Sequence, residues 1–154
     1  MHALGKGATL AEDLPEHIGQ EASDIQLVKD VCKRLRVPNE CKELAQIVAK
    51  FNGKLHQVLQ MKPTALLNFL VELDAIRQPE RFNNFLRACE SDASAGAGLE
   101  NHAIPAADLL QNALAAAIEV DAGAVASAYN EPERIKMAVF NARLDKVQAM
   151  IEKV

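Results

Sequence analysis

His2, His17, His56 and His102, three cysteines and a dense group of lysines and arginines are the side chains of this 154-residue chain with chemistry to offer. An imidazole can ligate a metal or move a proton, but a hydrolytic metal site also needs carboxylates that bind or bridge the ion. His2 is followed by Ala3, whose methyl group can do neither. His17 precedes an apolar residue at a helix start and reads as a solvent-facing or capping residue, and His102 has no partner nearby in sequence. Cys32, Cys41 and Cys89 show no Cys-x-x-Cys or Cys/His metal spacing and fall inside apolar periodic segments. They read as buried thiols in a reducing compartment. Lys6 lies between Gly5 and Gly7, but the spacing of a P-loop and its following Ser or Thr are absent.

The basic residues are the more informative group. From Lys29 to Lys62 there are eight of them against three acids, within a chain whose net charge is −4. Lys33, Arg34, Arg36, Lys42 and Lys50 are the candidate strip for a phosphate backbone, with Arg forks and Lys point charges that position a strand without reading its sequence. The chain has one Tyr and no Trp, so stacking on bases has no obvious platform. Any RNA contact is therefore expected to be of the phosphate and shape kind.

The elements that must carry these residues read as helices nearly throughout. Ile18, Ala22, Ile25, Val28, Cys32 and Leu35 step at three or four residues, and Cys41, Leu44, Val48, Phe51, Leu55 and Val58 form the next stripe. Leu66, Phe69, Leu70, Leu73 and Ile76 follow Pro63; Phe82, Phe85, Leu86 and Cys89 follow Pro79. Pro38, Pro63, Pro79, Pro105 and Pro132 are each expected in a first helical turn, where the missing N–H costs nothing. Ala93 to Gly98 breaks the pattern and is expected to loop. Beyond it lie an alanine-rich helix, about 105–120, and a terminal helix, about 132–152, whose two apolar stripes suggest several neighbours. No strand pattern, internal repeat, signal peptide or run of about 18 apolar residues appears, so no membrane contact is expected.

Several blocks in one order give a family resemblance. His2-Ala3-Leu4-Gly5-Lys6-Gly7, Leu14 to Glu21, Cys32 to Glu40, and Asp74-Ala75-Ile76-Arg77-Gln78-Pro79-Glu80-Arg81 together resemble the C-terminal half of bacterial multifunctional CCA proteins. These are tRNA nucleotidyltransferases with an appended HD-type metal phosphohydrolase domain. The resemblance implies an all-α, multi-helix bundle, a truncated HD-domain-like fold, divided as 1–92 degenerate HD-type domain, 93–103 loop and 104–154 helical tail packed on it. In that family the HD domain holds divalent metal, Mg, Mn or Ni, for phosphatase and 2′,3′-cyclic phosphodiesterase chemistry.

Carried over position by position, the site is broken. His2 matches the motif histidine, but Ala3 stands where its aspartate belongs. The family's His-His-Gly-His appears as His17-Ile18-Gly19-Gln20, its Glu-Phe-His as Lys50-Phe51-Asn52, and its Asp-x-Arg-Gly-Arg as Asp92-Ala93-Ser94-Ala95-Gly96. His2, Ala3, His17, Gln20, Asn52 and Asp92 are thus vestigial, no metal is expected, and a further ligand on a preceding helix is not contained in this chain. The family often has a second histidine near His56. No Gly-Ser or paired-Asp nucleotidyltransferase centre is present either. The expected role is a non-catalytic, cytoplasmic module facing tRNA or scaffolding the catalytic half of a parent enzyme. The alternatives are a residual metal-dependent phosphohydrolase and a free helical interaction module. A homodimer is a further expectation, since helix faces bearing Ile25, Cys32 and Leu55 would lie open without preceding helices.

Overall fold

Apolar steps of three and four residues wind the chain into seven helices within residues 21–55, 57–95 and 100–152, which are those the computed structural model describes. They are α1 (Glu21–Arg34), α2 (Asn39–Leu55), α3 (Pro63–Glu72), α4 (Pro79–Ala95), α5 (Glu100–Ile118), α6 (Ala122–Ala126) and α7 (Pro132–Ile151), with a 3-10 turn at Val58–Gln60. No strand occurs among the described residues, and the expected all-α bundle is borne out. No helix among them is long and apolar enough to cross a membrane.

Proline places three helix starts as expected: Pro63, Pro79 and Pro132 each open a helix. Pro38 sits one position earlier, its carbonyl accepting the Lys42 N–H at 3.0 Å. Pro105 departs from expectation and lies inside α5, which begins at Glu100. One missing hydrogen bond near a helix start is tolerable when the flanking turns pack. The loop expected at 93–103 is helical at both of its ends, because α4 runs to Ala95 and α5 starts at Glu100 and includes His102. Ser and Ala keep adequate helix propensity, and residues 96–99 lie outside the described residues.

Two helices end with the same hydrogen-bond pair. At the end of α1 the Val37 N–H donates to the Cys32 carbonyl (3.0 Å) and the Arg36 N–H to that of Lys33 (3.3 Å). At the end of α3 Ala75 donates to Leu70 and Asp74 to Val71, both at 3.0 Å. This closure requires one left-handed residue, usually glycine. Here Arg36 (φ 52°) and Asp74 (φ 54°) occupy it. Asp adopts that conformation readily; a long arginine does so at a cost of about 1 kcal/mol. Arg36→Gly is therefore expected to raise stability by roughly 0.5–1 kcal/mol, measured by urea or thermal unfolding.

The core joins both parts of the chain. Val48, Phe51 and Leu55 of α2, Leu66, Leu67 and Leu70 of α3, Phe82, Phe85 and Leu86 of α4, Leu110 of α5 and Val147 of α7 form one buried cluster. The Phe51 and Phe69 rings meet edge to face, 5.4 Å between centroids. Helix α7 touches α3, α5 and α6, which accounts for its two stripes. Cys32 and Leu55, expected to lie open, are buried, so neither offers the exposed surface on which self-association was expected. Leu35, expected on an apolar stripe, is instead exposed, as is Ile118. Leu35 follows the last turn of α1 and Ile118 is the last residue of α5.

Candidate functional site

Of the six positions expected to be vestigial, the structure describes two and brings them together. Asn52, on the fourth turn of α2, donates its Nδ2 to Oδ2 of Asp92 on α4 at 2.9 Å, in a partly buried setting. His2, Ala3, His17, Gln20 and also His56 lie outside the described residues. The Lys50 ammonium rests 4.6 Å from the centroid of the Phe51 ring, and that of Lys54 at 5.5 Å. Where the resembling family has an acid and an imidazole, this chain thus offers two cations and an amide that already occupies a carboxylate oxygen of Asp92. Among the described residues, no three His, Cys, Asp or Glu side chains converge as metal ligands. The donor set that is described does not fit a divalent ion.

Cys89, one turn before Asp92, is buried, and its thiol is pushed up to about 12 by burial first, then by the Asp92 and Glu90 carboxylates. Such a thiol is not a nucleophile near neutral pH. Because the folded protein holds this proton more tightly than the unfolded chain, the resulting stability is full below pH 9 and is lost as pH rises from 9 towards 12. Cys32 is buried as well. Cys41 corrects the expectation of three buried thiols, because it is exposed in the first turn of α2. Titration with a coloured disulfide reagent at pH 8 is expected to find one reactive thiol in the folded protein and three in denaturant.

The basic strip divides. Lys33 and Arg34 end α1, Arg36 follows in its left-handed position and Lys42 lies in the second turn of α2. Together they form a corner in which Lys33, Arg34 and Arg36 are exposed and Lys42 is half-buried. Lys50 lies two turns further along α2, roughly 12 Å down its axis, beside Asn52. The described ion pairs draw in Arg77, Arg81, Arg134 and Lys146, but none of the corner cations. Charges at the corner are thus available to an external anion.

Next to that corner the first turns of α2 and α4 flank a cleft of about 670 Å³. Its apolar part is Leu44 and Pro79, and its rim carries Glu40, Glu43, Glu80 and Asn84. Arg81 forms part of the wall and ties three elements together. Its Nη2 donates to the Leu73 carbonyl (3.3 Å) and lies 3.6 Å from Asp74, while Nη1 lies 3.5 Å from Glu43. The Arg81 Nε is buried and has no hydrogen-bond partner among the described residues. Gln78 and Arg77 also turn to Asp74, at 3.2 and 3.8 Å. The Asp74 to Arg81 block is thereby explained as the brace that fixes the start of α4 against α2. Sequence reading missed the cleft, since its two walls lie some 40 residues apart.

Comparison with known proteins bears out the resemblance. The chain is 51% identical over 148 residues to a protein of Methylobacillus flagellatus named Multifunctional CCA protein, covering 96% of this chain and 36% of that one. Proteins of the same name from Burkholderia cenocepacia (49% identical over 147 residues, 95% of this chain and 36% of theirs) and Burkholderia lata (47% over 152 residues, 98% and 37%) are similar. The chain thus spans a little over a third of the length of these relatives, consistent with a C-terminal region. No family model and no solved structure matches it.

Proposed function

We propose that this homologue of the multifunctional CCA proteins is a non-catalytic, HD-derived helical module of a CCA-adding tRNA nucleotidyltransferase, which faces tRNA through the α1–α2 corner. The nucleotidyltransferase chemistry belongs to a catalytic half carried elsewhere in such an enzyme, and this region contributes position and electrostatics. The observation that carries the reading is Arg36. An arginine in a left-handed turn that glycine would fill more stably, exposed and without an ion pair among the described residues, is strain retained for a charge. Lys33 and Arg34 stand beside it, and Leu35 between the two arginines is exposed. The vestigial site supports the non-catalytic part, since Asn52 and Asp92 are joined to each other.

Electrophoretic shift of an unmodified tRNA transcript by the intact chain tests the proposal. With four or five phosphate contacts, log affinity should fall with log salt at a slope of about −4, so that binding weakens by roughly 10²–10³-fold between 50 and 200 mM salt. Absence of a shift at 50 mM, or a shift indifferent to salt, would overturn it.

A further inference from the structure

The cleft between the first turns of α2 and α4 has a chemistry that complements the corner. It follows the corner along the chain, Arg36 preceding Glu40 by four residues. Its volume lies in the range of ligand sites. Three carboxylates line it against two guanidinium groups, so a free phosphate or a nucleoside triphosphate would meet net repulsion inside. A planar ring with donors and acceptors on its edge meets the opposite case. Leu44 and the Pro79 ring offer it apolar surface, Glu40 and Glu80 accept hydrogen bonds, and Asn84 both accepts and donates. Neither Glu40 nor Glu80 takes part in a described ion pair.

The geometry points to a pocket for one unpaired base bearing an exocyclic amino group, adenine, cytosine or guanine but not uracil, on the strand whose phosphates the α1–α2 corner holds. Carboxylate acceptors favour an amino group and disfavour the carbonyl that uracil presents at the same place. The inference rests on the proposed phosphate contact and adds base selectivity to it. It does not require aromatic stacking, which the composition does not supply.

Cys41 provides the readout, being the exposed thiol of the three and part of the cleft wall. The intact chain is treated with iodoacetamide, and Cys41 alkylation is followed by mass spectrometry with and without twelve-residue oligo(A), oligo(C) or oligo(U) RNA. Binding of each oligonucleotide is measured in parallel at several salt concentrations. Oligo(A) and oligo(C) should slow alkylation about five-fold or more, and oligo(U) should not. Glu80→Gln combined with Asn84→Ala should erase that difference and leave the salt slope unchanged. If all three oligonucleotides bind but protect Cys41 equally or not at all, the base pocket is overturned and the phosphate corner stands. If none binds at 50 mM salt, both fall together.

Discussion

Reversing Arg34→Glu and Arg36→Glu together is expected to weaken tRNA binding by about 10²-fold or more at 50 mM salt and to reduce the salt slope by at least about 2. Each arginine that leaves a phosphate forfeits the counterions it released, and a carboxylate in its place adds repulsion. Helicity should be unchanged and thermal stability lowered by at most about 1 kcal/mol, since both side chains are exposed and have no ion pair among the described residues, and the new carboxylates only oppose the dipole at the end of α1. The control reverses Lys136→Glu and Lys146→Glu on α7. Lys146 meets Glu119 of α5 at 3.1 Å, an exposed pair whose loss costs less than about 1 kcal/mol, and tRNA binding should be retained. Equal losses from the two proteins would show that the corner carries ordinary solvated charge. Arg36→Gly separates the two roles of that residue within one variant: it should bind less tightly while unfolding at higher denaturant.

Much of this architecture is legible because helix periodicity and proline are local signals. Leu66, Phe69, Leu70 and Leu73 recur at helical steps, and Pro63, Pro79 and Pro132 mark starts whatever surrounds them. What escapes local reading depends on the neighbours. Cys41 continues the stripe of Leu44 and Val48, yet at its level α4 stands away and leaves a cleft. Pro105 looks like a start because its own turn does not reveal that Glu100 begins the helix. The basic residues are readable as a charge excess, but only the fold separates Lys50, laid on Phe51, from the corner formed by Lys33, Arg34, Arg36 and Lys42. The left-handed backbone of Arg36 in particular carries no signal in sequence. Its meaning lies in a backbone angle, and that angle turns a count of charges into an argument for function.

The proposed absence of metal-dependent hydrolysis has a sharp expected result. The chain should show no chelator-sensitive hydrolysis of phosphomonoesters or 2′,3′-cyclic phosphates with Mg²⁺, Mn²⁺ or Ni²⁺, and Ala3→Asp should not restore any. Metal-activated hydrolysis depends on lowering the pKa of bound water from near 16 towards about 7, and that requires the complete ligand set. Restoring one carboxylate at position 3 leaves Gln20 and Asn52, two amides, where imidazoles would stand. It also leaves the Asn52 amide on Asp92 at 2.9 Å, in competition with any ion for that oxygen. The Lys50 and Lys54 ammonium groups around Phe51 would raise the electrostatic cost of adding a further dication nearby. Reproducible turnover that EDTA abolishes, in the unaltered chain or in Ala3→Asp, would show that the site is assembled in another way and would return this region to the phosphohydrolases. Failure of both proteins to turn over while tRNA binding persists is the outcome that a retained scaffold demands.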